Sequence, residues 1–147
     1  NLTSDQMPYS MVLRDIEKEL IPYCIRNNKA VIAYSPMQRG LLTGKITSDY
    51  HFNEGDHRPG TPFFKEPNRS LINEFLKKIK PVADGKKATL AQLVLRWTLD
   101  QPGITCVLAG ARNEKQVTEN VAAAEITISS EEMEFINDEL NNLKLEL

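Results

Sequence analysis

The chain has 147 residues, 41% of them apolar, which is enough for one domain with a buried core. Lys and Arg number 18 against 20 Asp and Glu, a formal charge of -2, so the basic excess typical of nucleic-acid binding is missing. No apolar run approaches the roughly 20 residues a bilayer helix needs, and no signal-peptide pattern opens the chain. The expectations are a cytoplasmic protein with no nucleic-acid and no membrane partner.

Cys24 and Cys106 each lie in an apolar segment without Cys or His neighbours at ligand spacing, which predicts two reduced, buried thiols. His51 and His57 share one Gly/Pro-rich loop with nothing to fix their spacing, so no metal site is expected.

In chain order, Gln6–Ser10 reads as extended, with Pro8 keeping Met7 out of the helical region. Ile16, Leu20, Ile21 and Cys24 form one apolar side of a helix that Asn27-Asn28 closes. Lys29–Tyr34 is a short β-branched run ended by Ser35-Pro36 and reads as a buried strand. From Met37 to about Pro67 the chain is rich in Gly and Pro. One short turn is expected at Gly40–Lys45, followed by a long loop at about 46–68, either a functional lid or a linker.

Ser70 is the expected cap of a helix carrying Leu71, Ile72, Phe75, Leu76 and Ile79 and ending before Pro81. Thr89-Leu90-Ala91-Gln92 has the spacing of a capping box, with Leu90, Leu93, Val94 and Trp97 inward. Ile104–Ala109 reads as a second buried strand, and Asn113 as the cap of a helix buried through Val117, Val121 and Ala124. A last helix opens at Ser129, with Met133, Ile136 and Leu140 inward. Strands separated by helices predict an α/β fold with a parallel sheet.

Ala109–Gln116 is a strand feeding a glycine turn and a helix amino terminus, where exposed amides and the helix dipole favour an anion. Arg112 could clamp a phosphate there, and a plain corner with a solvated arginine is the alternative. Tyr34 and Ser35 lie at a strand's carboxyl end, the ligand edge of parallel sheets, offering a ring face and a hydroxyl. Neither a nucleophile elbow, a phosphate-loop motif nor a GxGxxG is present.

Several landmarks recur in order: Gln6-x-x-Tyr9-Ser10, Glu19–Cys24, Val31–Pro36 with Arg39–Lys45, Thr89–Leu93, Leu95–Trp97, and Gly110–Asn113 followed by Gln116, Glu119 and Asn120. Together they resemble the last third to half of the aldo-keto reductases, over essentially the whole chain. The resemblance implies a C-terminal portion of a (β/α)8 TIM barrel, incomplete in this chain, with residues 1–147 forming a partial domain that holds strands six to eight. The start without methionine is taken in the same sense.

The resemblance implies NADP(H) as cofactor. Gln6 would bond the nicotinamide carboxamide and Tyr34 would stack on the ring. Ser35, Met37, Arg39, Gly40 and Lys45 would surround the pyrophosphate. Gly110, Arg112, Gln116, Glu119 and Asn120 would line the adenosine end. Many members have Lys-Ser where Gly110-Ala111 stands and Arg where Gln116 stands, so Arg112 is left to hold the 2′-phosphate.

Aldo-keto reductases also use an aspartate, tyrosine, lysine and histidine from the first half of the barrel. No segment here resembles those, so no catalytic residue is named. The intact parent is expected to reduce small aldehydes or ketones to alcohols, and this chain to be inactive alone. The alternative is a non-catalytic nicotinamide-binding regulatory subunit. Unflanked strand edges further suggest self-association.

Overall fold

The computed structural model describes residues 2–147. Three five-residue strands, β1 (Ser4–Pro8), β2 (Ala30–Tyr34) and β3 (Ile104–Leu108), form one parallel sheet in that order. The register sets Gln6 beside Ile32 and Pro8 beside Tyr34, and on the other side Ile32 beside Cys106 and Tyr34 beside Leu108. Alternation along each strand then divides the residues between two faces. Val31 and Ala33 are fully buried on one face. Tyr34 and Leu108 are 38% and 43% exposed on the other. The parallel sheet expected from the strand–helix order is present, and one of its faces is open.

The helices are α1 (Leu20–Arg26), α2 (Asn68–Gly85), α3 (Leu90–Leu99), α4 (Glu114–Ala122) and α5 (Ser130–Asn142). The apolar stripes of α1, α2, α3 and α5 meet the closed sheet face in one core that includes Tyr9, Leu41, Ile72, Leu76, Leu93, Trp97 and Ile136. Trp97 is fully buried; it stacks on Tyr9 at 6.1 Å and donates from Nε1 to Asn137 Oδ1 at 3.0 Å. The Thr89–Gln92 capping box is present, and Ser129 and Glu132 make a second one.

Several local expectations need correction. The first helix is two pieces, a single turn at Asp15–Glu17 that carries the buried Ile16 and then α1, separated by a kink at Lys18-Glu19. Ser70 does not open α2, which begins at Asn68 and runs through Pro81 to Gly85. Proline removes one helical donor, yet Val82 packs against the core and Ala83 is buried beyond it, so packing carries the helix onward. Asn68 is itself 3% exposed and acts as a rivet: Nδ2 donates to Pro62 O and Glu146 O, and Oδ1 accepts from Glu146 N–H.

The 46–68 loop is ordered and is not a linker. Ile46 and Phe64 are buried, and Phe52 meets Phe64 edge-on at 5.9 Å. The Arg58 guanidinium pairs with Asp56 at 2.6 Å and lies over the rings of Tyr50 and Phe52. Cys24 is buried as expected, but Cys106 is exposed because it lies on the open face of an edge strand. The α4 stripe is likewise not buried: Val117 and Val121 are 51% and 65% exposed. They line an apolar groove of about 420 Å³ between α4, α3 and β3, bounded also by Leu95, Leu99 and Val107. Among the described residues no helix is long and apolar enough to cross a membrane.

Candidate functional site

Because the strands are parallel, their carboxyl ends lie along one edge of the sheet, where the segments after β2 and β3 emerge. Tyr34 closes β2 with its ring part-exposed, and its carbonyl accepts the backbone N–H of Tyr9 at 3.1 Å, which fixes the exit of β1 against it. Gln6 is exposed but is the middle residue of β1, paired with Ile32. It therefore lies one step deeper on the open face than Tyr34, and the strand runs Ser4–Pro8 where the sequence reads Gln6–Ser10 as extended. Tyr9 belongs to the core. Burial first, and then its hydrogen bond to Glu17, push its phenol well above the usual range.

The segment after β2 has an unusual backbone. Ser35, Gln38 and Arg39 adopt φ of 56°, 46° and 52°, and Gly40 and Gly44 adopt 93° and 73°. A left-handed residue with a side chain costs on the order of 1 kcal/mol, so three of them require compensating contacts. Backbone bonds provide some: Gln38 N–H donates to Ser35 O at 2.9 Å, and Met37 O accepts from both Gly40 and Leu42. Leu41 and Leu42 are fully buried just beyond and anchor the turn. Arg39 is left exposed at its crest, and Lys45 is exposed after it.

The second cationic corner follows β3. Asn113 caps α4 by accepting from Gln116 N–H at 3.0 Å, and Gln116 Oε1 accepts the Arg112 N–H at 2.8 Å. Asn120 Nδ2 reaches back to Gly110 O at 3.3 Å. The Glu119 carbonyl accepts from Gln92 and ties α4 to α3. Gly110, Arg112, Gln116 and Asn120 thus form one hydrogen-bonded turn, in which Gln116 and Asn120 shape the backbone that presents Arg112. A Cβ placed on Gly110 would meet nothing within 4 Å, so the turn faces open space.

Charge pairing divides the cations, and those without a carboxylate partner among the described residues include Arg26, Lys29, Lys65, Lys87 and Lys144 as well as the cations of these two turns. Arg14, Arg58, Arg69 and Arg96 each pair with a carboxylate. Among the described residues, Arg39, Lys45 and Arg112 pair with none. Two cationic turns without carboxylate partners thus follow the carboxyl ends of adjacent parallel strands, one of which ends in the exposed Tyr34. That donor set fits an elongated anion with a flat ring at one end.

A sequence model of the aldo/keto reductase family matches residues 1–141. The chain belongs to the aldo/keto reductase family. It is 38% identical to the NADH-specific methylglyoxal reductase of Escherichia coli over 84% of this chain and 37% of that protein. It is 34% identical to a probable voltage-gated potassium channel subunit beta of Arabidopsis thaliana, over 83% of this chain and 38% of that one. Among solved structures, a glycerol dehydrogenase from Gluconobacter oxydans aligns with a TM-score of 0.86 and 30% identity, covering 95% of this chain and 42% of that chain. The chain spans about two fifths of the length of these aldo/keto reductase relatives.

These findings correct two expectations. The assignment to an incomplete C-terminal portion of a (β/α)8 barrel, strands six to eight, is replaced. The family match runs almost through the chain, and 95% of it superposes on a complete aldo/keto reductase structure. The expectation of an inactive chain is withdrawn as well, because relatives matched over most of the chain are named as a reductase and a dehydrogenase.

Sequence reasoning missed Gln38 and Ser10, which meet inside the protein, and Arg58, which braces Arg39. A buried glutamine with positive φ leaves no periodicity to read. Arg58 lies in an aperiodic loop, and only folding gathers Asp56 and the Tyr50 and Phe52 rings around its guanidinium.

Proposed function

We propose that the protein is an NADP(H)-dependent oxidoreductase that reduces aldehydes or ketones to alcohols, and that this chain holds the dinucleotide along the carboxyl edge of its sheet. The observation that carries the reading is the exposed Tyr34 at the carboxyl end of β2, with the unpaired Arg39 in the turn that follows it and the unpaired Arg112 in the turn after neighbouring β3. Tyr34 would offer its face to the nicotinamide, and Gln6, deeper on the same face, an amide to its carboxamide. Ser35, Met37, Gly40 and Lys45 would surround the pyrophosphate with Arg39. Gly110, Arg112, Gln116, Glu119 and Asn120 would form the adenosine end. When bound, the nicotinamide supplies a hydride for the carbonyl carbon.

The phosphate preference rests on Arg112. A relative named NADH-specific is 38% identical, so family membership alone leaves the choice between the two dinucleotides open. An exposed guanidinium without a carboxylate partner, at the start of a capped helix, favours the extra 2′-phosphate. Fluorescence titration with NADPH and NADH tests this directly: saturable binding with NADPH preferred supports the reading, and NADH preferred overturns the NADP(H) assignment.

A second reading, a nicotinamide-binding regulatory subunit, is favoured by the 34% identity to a probable channel beta subunit. Turnover of NADPH with a panel of small aldehydes and ketones distinguishes the two; binding without turnover favours the subunit.

A further inference from the structure

We propose that Gln38 is a positioning residue for the dinucleotide, braced by Ser10 from inside the protein and by Arg58 from outside, so that Arg39 faces the pyrophosphate. The inference rests on the reading that Arg39 meets that pyrophosphate. Arg39 stands in the middle of three consecutive left-handed residues, two of which carry side chains. Such residues do not hold that conformation unaided, and without support the turn relaxes and redirects the guanidinium.

The inner support is a side-chain pair that no helix or strand requires. The Ser10 hydroxyl is fully buried and donates to Gln38 Oε1 at 3.2 Å, and Gln38 is only 8% exposed. Ser10 is itself immobilised, because its backbone and that of Leu13 exchange hydrogen bonds of 3.1 Å in both directions. The pair therefore ties the turn after β2 to the turn after β1. Breaking one partner leaves the other as a buried polar group without its bond, a penalty the turn can escape only by moving.

The outer support is Arg58. Its Nη1 donates to the carbonyl of Arg39 at 3.3 Å, while Asp56 holds the rest of the guanidinium in place. The arginine that would meet phosphate is thus steered from below by an uncharged pair and from above by a charged one. Neither support lies in the Arg112 turn. Losing them should weaken binding of the whole dinucleotide and spare a ligand that occupies only the adenosine end.

The test compares dissociation constants for NADPH and for adenosine 2′-phosphate, which lacks the pyrophosphate and nicotinamide, with thermal melting as the check on folding. The proteins are the wild-type chain, Ser10→Ala, Gln38→Met, their combination, and Arg58→Met. Each core single variant should weaken NADPH about tenfold, and the combination little further, because both changes break one bond. Adenosine 2′-phosphate should bind as to wild type. Arg58→Met leaves the buried Ser10–Gln38 pair intact and should still weaken NADPH selectively, so it decides the matter should the core variants not fold. Equal weakening of both ligands, or no weakening of either, overturns the inference while the dinucleotide reading stands. A wild-type chain that binds neither ligand overturns both.

Discussion

At the scale of single residues, Arg112 and Asp56 give the sharpest predictions. Arg112→Ala should weaken NADPH by about tenfold, the value of one exposed charged contact, and leave NADH within about twofold; paired fluorescence titrations read the difference. Equal loss for both dinucleotides would place Arg112 outside the 2′-phosphate site. Asp56 is held down at about 2, against an ordinary 3.8, chiefly by hydrogen bonds from Arg58. A depressed carboxyl stabilises the folded loop above its ordinary value and loses that contribution as pH falls through about 2. Carboxyl-carbon NMR of Asp56 should therefore titrate near 2, and a midpoint near 3.8 would mean that the clamp is not formed. The sequence could nominate Arg112 because a glycine turn and a helix cap surround it. It could not nominate Gln38 or Arg58, whose roles depend on residues far away in the chain.

Among the elements, the capping residues separate stability from binding. Thr89→Ala removes the reciprocal cap of α3 and should cost about 1 kcal/mol, a fall in Tm of roughly 3 °C, without changing NADPH affinity. Asn113→Ala removes the cap of the helix that presents Arg112, so calorimetry should show a similar loss and titration a weaker NADPH complex. An unchanged dissociation constant would mean that α4 does not position the adenosine end. The helices with a buried stripe, α2, α3 and α5, were legible because periodicity reports which side seeks cover. For α4 the same periodicity misled. Val117 and Val121 repeat correctly but face a groove that nothing in the described structure fills. Pro81 misled in the opposite sense, since the packing of Val82 and Ala83 outweighs one missing helical bond.

For the molecule as a whole, one sheet face and the α4 groove remain open, with Tyr34, Leu108, Val117 and Val121 all more than a third exposed. We propose that this chain self-associates through the apolar surface, so light scattering should show a mass that rises with concentration and falls for Leu108→Glu. A strict monomer at high concentration would contradict this. The order of strands and helices could be read from the sequence, because alternating short β-branched runs and long amphipathic ones admit little besides a parallel sheet. How far the sheet extends could not, since each strand is described by its own residues and its neighbours are not. The account turns on a dinucleotide lying along the strand ends, from Tyr34 to Arg112. Backbone amide NMR of the isotope-labelled chain during NADPH titration tests that most directly. Saturable shifts should gather at Gln6, Tyr34, Arg39, Gly110 and Arg112. Shifts confined to the α4 groove, or none at all, would contradict it.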